Sequence, residues 1–236
     1  MITLNKLTYD LLELIRGNIT DDDELDLRQI EYWIHNQRAL WLKNEMNRFR
    51  SIDDDLVQDL GCAELELADA SSCAVFPVGC SILRTKNIIP DTIDLHHKSA
   101  ITRVGPVNRT QKPFSFIPYN RAVFSGNGRL SKETVYAFLL NDRMYLKFNE
   151  NNELAKLLTE VNIRGVFEDP TQVATFNNSD GTPCYSKDIK YPISRSMINY
   201  MKAEIIKSDL RFKLMAPSDT VNDGDGKLTG TANVKA

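Results

Sequence analysis

The sequence predicts an α+β fold: an N-terminal helical hairpin plus a C-terminal helix forming a wedge, a central antiparallel β domain, and an extended polar C-terminal tail. Three observations predict it. Apolar residues recur at three- and four-residue steps near both ends, from Leu4 to Phe49 and from Ile193 to about Met215. Between about Leu56 and Phe176 they instead alternate with polar residues or gather in short β-branched and aromatic runs. After Ala216 apolar anchors become sparse. A 3.6-residue period lays down one helix stripe, whereas a two-residue period lays down one sheet face. Four segments follow: 1–55 for the N-terminal helices, 56–190 for the β-rich region, 191–215 for the C-terminal helix and 216–236 for the tail.

Leu4, Leu7, Leu11, Leu14 and Ile15 define the first helix, and Gly17 is a natural stop because left-handed backbone costs it little. The acidic run Asp21-Asp22-Asp23-Glu24 suits the start of a second helix, where negative charge meets the positive end of the macrodipole. Its apolar positions run Leu27, Ile30, Trp33 or Ile34, Leu40 or Trp41, then Phe49. Arg38, Lys43, Arg48 and Arg50 fall towards the complementary end. A helix of about 25 residues would span roughly 40 Å.

In the β region, Ala63-Glu64-Leu65-Glu66-Leu67-Ala68 alternates, and Asp69-Ala70-Ser71-Ser72 reads as the turn that ends it. The strongest hairpin pairs 135–140 with 144–148 across Asn141-Asp142-Arg143, residues that tolerate positive φ. A further strand is expected over Val161–Phe167. Residues 84–130 are broken by Pro and Gly, which predicts short strands joined by long loops, with one helical turn after Pro118. Long loops in a compact domain usually serve a contact. Pro192 suits a first helical position, followed by the stripe Ile193, Met197, Ile198, Met201, Ile205 and Leu210 or Phe212. That stripe is expected to pack on the N-terminal helices.

Composition narrows the function classes. With 42% hydrophobic residues and a net charge of −3, the chain can build a full core. No run of about 18 apolar residues is present, so no membrane span is expected. The segment Met1-Ile2-Thr3-Leu4-Asn5-Lys6 reads straight into a helix pattern without an apolar secretory core, so no export signal is expected. A pI near 5.7 argues against a dedicated nucleic-acid binder and is compatible with DNA passing by without sticking.

Chemistry is sparsely supported. Cys62, Cys73, Cys80 and Cys184 form no CxxC pair, and the adjacent His96 and His97 would point to opposite faces of a strand. Buried thiols in a reducing compartment are expected, with no metal and no cofactor. Gly126-Asn127-Gly128 is a lone turn signal without the Lys-Ser/Thr of a phosphate loop. His35 has no acid or nucleophile nearby in sequence, and the carboxylate groups 53–55 and 168–169 read as solvated. Asn222-Asp223-Gly224-Asp225-Gly226 lacks the closing Glu of a calcium loop. No catalytic residue is therefore assigned.

One stretch suggests recognition. Arg103, Arg109, Lys112, Arg121 and Arg129 are interleaved with Phe114, Phe116, Tyr119 and Phe124. Basic residues among aromatics suit single-stranded nucleic acid. On a chain of negative net charge, contact between subunits or with a partner protein is the better reading. In the tail the candidate anchors are Pro217, Val221, Leu228 and Val234. Such a segment cannot build its own core, so neighbouring molecules would order it.

The order of helices, β region with an extended hairpin, helix near a Pro and polar tail resembles the gatekeeper, adaptor and tail tubular ring proteins of short-tailed phages. Several stretches are similar to virion structural proteins of crAss-like phages, which infect gut Bacteroidetes. They are Asp59-Leu60-Gly61-Cys62 before Glu64-Leu65-Glu66-Leu67, Gly79-Cys80-Ser81-Ile82-Leu83-Arg84, Asn162-Ile163-Arg164-Gly165-Val166-Phe167-Glu168-Asp169-Pro170, and Asp180-Gly181-Thr182-Pro183-Cys184 before Tyr191-Pro192-Ile193-Ser194. The resemblance covers about residues 1–225. It implies a structural subunit without catalytic residues, in a cyclic homo-oligomer of about twelve copies at the neck or tail of a virion. Portal and neighbouring tail or ring proteins would be its partners, phage DNA would pass through transiently, and no membrane would be involved. The competing class is a virion-associated or regulatory nucleic-acid-binding protein, or a small enzyme.

Overall fold

A computed structural model describes residues 2–16, 26–48, 53–68, 82–96, 99–125, 133–149 and 152–210. Gly17, the acidic run 21–24, Phe49, Arg50, the 69–72 turn, Cys73, Cys80, His97, Gly126–Gly128 and everything after Leu210 lie outside the described residues.

The first helix, α1, spans Leu4–Arg16. It buries Leu4, Leu7, Leu11, Leu12 and Ile15, and the Thr8 hydroxyl donates to the Leu4 carbonyl at 2.9 Å. Leu14, expected on the stripe, is 46% exposed; Leu12 on the opposite flank takes its place. Helix α2 spans Leu27–Asn47 and begins at a side-chain cap. The Asp26 carboxylate accepts the Arg28 N–H at 3.1 Å, which satisfies one of the orphan donors of the first turn. Its inner face is Ile30, Trp33, Ile34, Leu42 and Met46, with one charged residue among them, Arg38.

Eight described strands form one sheet: β1 (Gln58–Asp59), β2 (Ala63–Leu67), β3 (Ile82–Thr85), β4 (Ile101–Gly105), β5 (Ser115–Phe116), β6 (Tyr136–Leu140), β7 (Arg143–Lys147) and β8 (Glu160–Gly165). β8 is the hub. It pairs antiparallel with β4, and also with β1 and β2, which succeed each other along it. From β2 the sheet continues through β3, β7 and β6 to β5, whose pairing with β6 is parallel. The sheet then curls back on itself. The Phe114 N–H, just before β5, donates to the Val104 carbonyl of β4 at 2.8 Å. Joining the two ends covers edges that would otherwise offer unpaired backbone groups.

The β6–β7 hairpin shows why local sequence sets local structure. Asn141 and Asp142 take φ of 47° and 58°. Two consecutive left-handed residues give the primed turn whose twist matches the flanking strands. Arg143, expected in the turn, therefore starts β7 opposite Leu140. Ala137, Met144 and Leu146 face the main core, while Phe138 and Tyr145 face outward and stack at 5.5 Å between ring centroids. Helix α3 (Tyr119–Ala122), the turn expected after Pro118, sits over this outer cluster.

A short helix α4 (Glu153–Lys156) leads into β8. Helix α5 spans Arg195–Ile205 and runs into a π-helical turn, Ile206–Leu210. It packs against α2, and Lys202 pairs with Asp10 of α1 at 3.2 Å. Pro192 is not its first residue; Ser194 occupies the N-cap position. The Tyr191 N–H donates to the Ile2 carbonyl and Lys190 bridges to Thr3, which keeps this stretch extended until the cap. Residues from α1, α2, α5 and the inner sheet face belong to one continuous apolar cluster. Among the described residues no helix is long and apolar enough to cross a membrane.

Candidate assembly interface

Two of the basic residues singled out in the middle of the chain are occupied within the molecule. Arg103, on β4, donates to the Asn162 side-chain carbonyl at 3.2 Å, and to the Arg109 and Gln111 backbone carbonyls at 3.2 and 3.3 Å. Arg109 reaches back to form an ion pair with Asp59 of β1. Asn162 closes the circuit by donating to Asp59 and to the Gly61 carbonyl. The result is a pinned 106–111 loop across β4, β8 and β1. Charge-assisted bonds with several partners fix geometry more strongly than an isolated surface pair.

The aromatics of the same stretch divide. Phe114 and Phe116 are half-buried against the main core, and Tyr119 packs on Phe138 with ring centroids 6.0 Å apart. The end of α3 is different. Arg121 is exposed, Val123 is 45% exposed and Phe124 is 84% exposed. Arg129 and the tail anchors Pro217, Val221, Leu228 and Val234 lie outside the described residues.

A second surface was not singled out from the sequence. α2 and α5 enclose a groove of about 210 Å³, walled by Leu40, Trp41, Met197 and Tyr200 with Glu204 beside them. Leu40 and Tyr200 are 49% and 57% exposed. One signal was available: Leu40 and Trp41 widen the apolar stripe of the helix by about 100°, placing extra large apolar surface at its flank. Large apolar side chains rimming a concave site mark contact surfaces more often than isolated exposed ones do.

Beneath these surfaces lies a polar cluster between α2 and the chain around 167–191. His35, for which sequence offered no partner, has its Nδ1 2.8 Å from the Tyr191 hydroxyl and its Nε2 3.7 Å from the Asp169 carboxylate. Asp169 itself caps the 3₁₀ turn Pro170–Thr175 through the Thr171 N–H at 2.8 Å. Burial holds the His35 pKa below its ordinary value, with Asp169 pulling partly the other way. Burial raises the phenols of Tyr185 and Tyr191. These environments favour the neutral imidazole and the neutral phenols in the folded protein.

A depressed histidine pKa gives a signed expectation. The unfolded chain binds a proton to His35 at higher pH than the folded chain does. Stability from the neutral ring is therefore present above about pH 6.5 and is lost as pH falls below it towards the lower folded value. Chemical denaturation at pH 7 and pH 5 should show a smaller loss in His35→Gln than in the unaltered chain. Equal losses would mean that His35 is not linked to folding.

The same physics acts on the two cysteines among the described residues, Cys62 and Cys184. Burial, helped by Asp59 and the nearby Cys62, pushes the Cys184 thiol up to about 12. Burial and Glu160 raise Cys62. The thiolate is the reactive form, and both environments disfavour it. Among the described residues no group of three His, Cys, Asp or Glu side chains is placed to hold a metal ion.

A family model described as phage tail ring protein 2 matches residues 6–226. A comparison with curated proteins finds no match.

Proposed function

The chain belongs to the phage tail ring protein 2 family of crAss-like phages, and from that premise we propose that it is a structural subunit of a ring in the portal-vertex, neck and tail assembly, joining portal to tail and lining the DNA passage. In this reading about twelve copies close a ring by head-to-tail contacts, as cyclic assemblies do. The ring acts as a gatekeeper or adaptor between portal and neighbouring tail proteins, and is assembled in the cytoplasm of the bacterial host.

The observation that carries the reading is the extent of the family match. It runs from residue 6, within α1, through the π-helical turn to residue 226, so nearly all of the described fold is what the family shares. Two further features support it. The pinned 106–111 loop and the α2/α5 groove are surfaces suited to holding protein. An acidic pI lets DNA move past without the counterion-releasing grip of a basic stripe. No reaction is assigned to the subunit.

Electron microscopy of virion necks, and of the purified protein, tests the proposal. Closed rings of about twelve copies between portal and tail are expected. A stable monomer outside the particle that turns over a substrate would overturn it. A second expectation concerns the tail, whose residues we propose clamp a neighbouring subunit or ring. Deleting 216–236 should leave the melting temperature of the isolated subunit within a few degrees and reduce incorporation into particles. Incorporation at the normal level would remove the clamp.

A further inference from the structure

We propose that the Arg121–Phe124 corner of one subunit seats in the α2/α5 groove of the adjacent copy. This rests on the ring reading, because a cyclic assembly needs two different surfaces on every subunit that fit each other.

The corner is shaped as a rigid projection. Ala122 is fully buried on the outer sheet cluster, while the next two residues, Val123 and Phe124, turn outward at 45% and 84% exposure. The Lys147 ammonium donates to the carbonyls of Ala122 and Val123 at 2.9 and 3.2 Å, and the Ser125 hydroxyl donates to that of Ala122 at 2.9 Å. These bonds satisfy the end of α3 and fix the backbone that carries Phe124. An aromatic on a backbone already fixed before docking gives up only side-chain freedom on binding, and such residues contribute much of the contact energy at interfaces.

The groove is the matching hollow. Its walls are mainly apolar, with Gln37 and Asn44 among them, and its volume of about 210 Å³ is open to a side chain from outside. It belongs to the helical layer, whereas the corner stands on the outer face of β6 and β7, so the two are distinct surfaces. Charge agrees as well. Glu204 contributes the carboxylate among the groove's lining residues. Its pairing with Lys207, at 3.8 Å and with Lys207 75% exposed, is a weak one. Exposed Arg121, one turn before Phe124, supplies the opposite charge.

Disulfide trapping reads this contact directly. The double variant Phe124→Cys/Leu40→Cys, oxidised after assembly, should give a ladder of covalent oligomers that neither single variant gives. Phe124→Ala and Arg121→Glu should each raise the concentration needed for ring formation by at least about tenfold, with monomer melting unchanged. Adding Glu204→Arg to Arg121→Glu should restore assembly. If the unaltered chain forms rings while the double variant gives no ladder, this contact is wrong and the ring reading stands. A cross-link between Leu40→Cys and Val221→Cys in place of that ladder assigns the groove to the tail and equally overturns the proposal. If no ring forms in the virion or in isolation, both readings fall.

Discussion

Arg38→Ala should destabilise the fold by about 3–5 kcal/mol, the largest loss expected from any polar residue in the helical layer. Its side chain is fully buried in α2, yet it cannot shed its charge. Burial pushes its pKa down, and the surrounding groups do not reverse that direction. Two backbone carbonyls compensate. Nε donates to Pro192 at 2.7 Å and Nη1 to Phe167 at 2.8 Å, and the Tyr191 ring lies 5.7 Å from the guanidinium carbon. Truncation removes all three contacts, opens a cavity and leaves two buried carbonyls without their partner. Arg38→Met refills most of the volume but still strands the carbonyls, so it should lose roughly 1–3 kcal/mol. Arg38→Lys keeps the charge and gives up the planar fork that spans both acceptors. Urea unfolding monitored by Trp fluorescence measures the series. A loss under about 1 kcal/mol for the alanine variant would show that desolvation of the charge cancels its bonds.

Gly61→Ala should cost about 2–4 kcal/mol, with Gly181→Ala as its internal control at about 1 kcal/mol. Both glycines have positive φ, 61° and 80°. They differ in surroundings. A Cβ on Gly61 would lie 2.5 Å from the Asn177 carbonyl oxygen and 2.7 Å from the Cys184 sulfur, whereas one on Gly181 meets nothing within 4 Å. The Asn177 carbonyl cannot withdraw freely, because it accepts the Cys62 N–H at 3.0 Å and that bond fixes the start of β2. Gly61 also presents its carbonyl to Asn162, so a shifted backbone would loosen the network that pins the 106–111 loop. Thermal unfolding of the two variants side by side separates backbone strain, common to both, from the clash that only Gly61 suffers. Equal melting temperatures would remove the clash from the account.

The α+β class, α1, the β6–β7 hairpin, the strand at β8 and the turn after Pro118 were all legible in the chain. Each depends on residues within a few positions of one another: a three-and-four repeat, an Asn-Asp pair able to take positive φ, a proline before a helical turn. The likeness to ring proteins was legible too, since it rests on stretches of sequence. What tertiary structure alone decided involves partners far apart in the chain. Arg38 looked like a charge complementing a helix end; its acceptors lie 129 and 154 residues away, which no period reveals. Pro192 looked like a helix start; the hold of Ile2 on Tyr191 delays that start to Ser194. Arg103 and Arg109 read as contact residues; Asp59 and Asn162, brought alongside by β8, also give them partners within the molecule, with Arg109 still exposed. The exposure of Phe124, Leu40 and Tyr200 likewise depends on how the helices and the curled sheet pack. Short-range geometry is written in neighbouring side chains, but burial and pairing are properties of the packed whole.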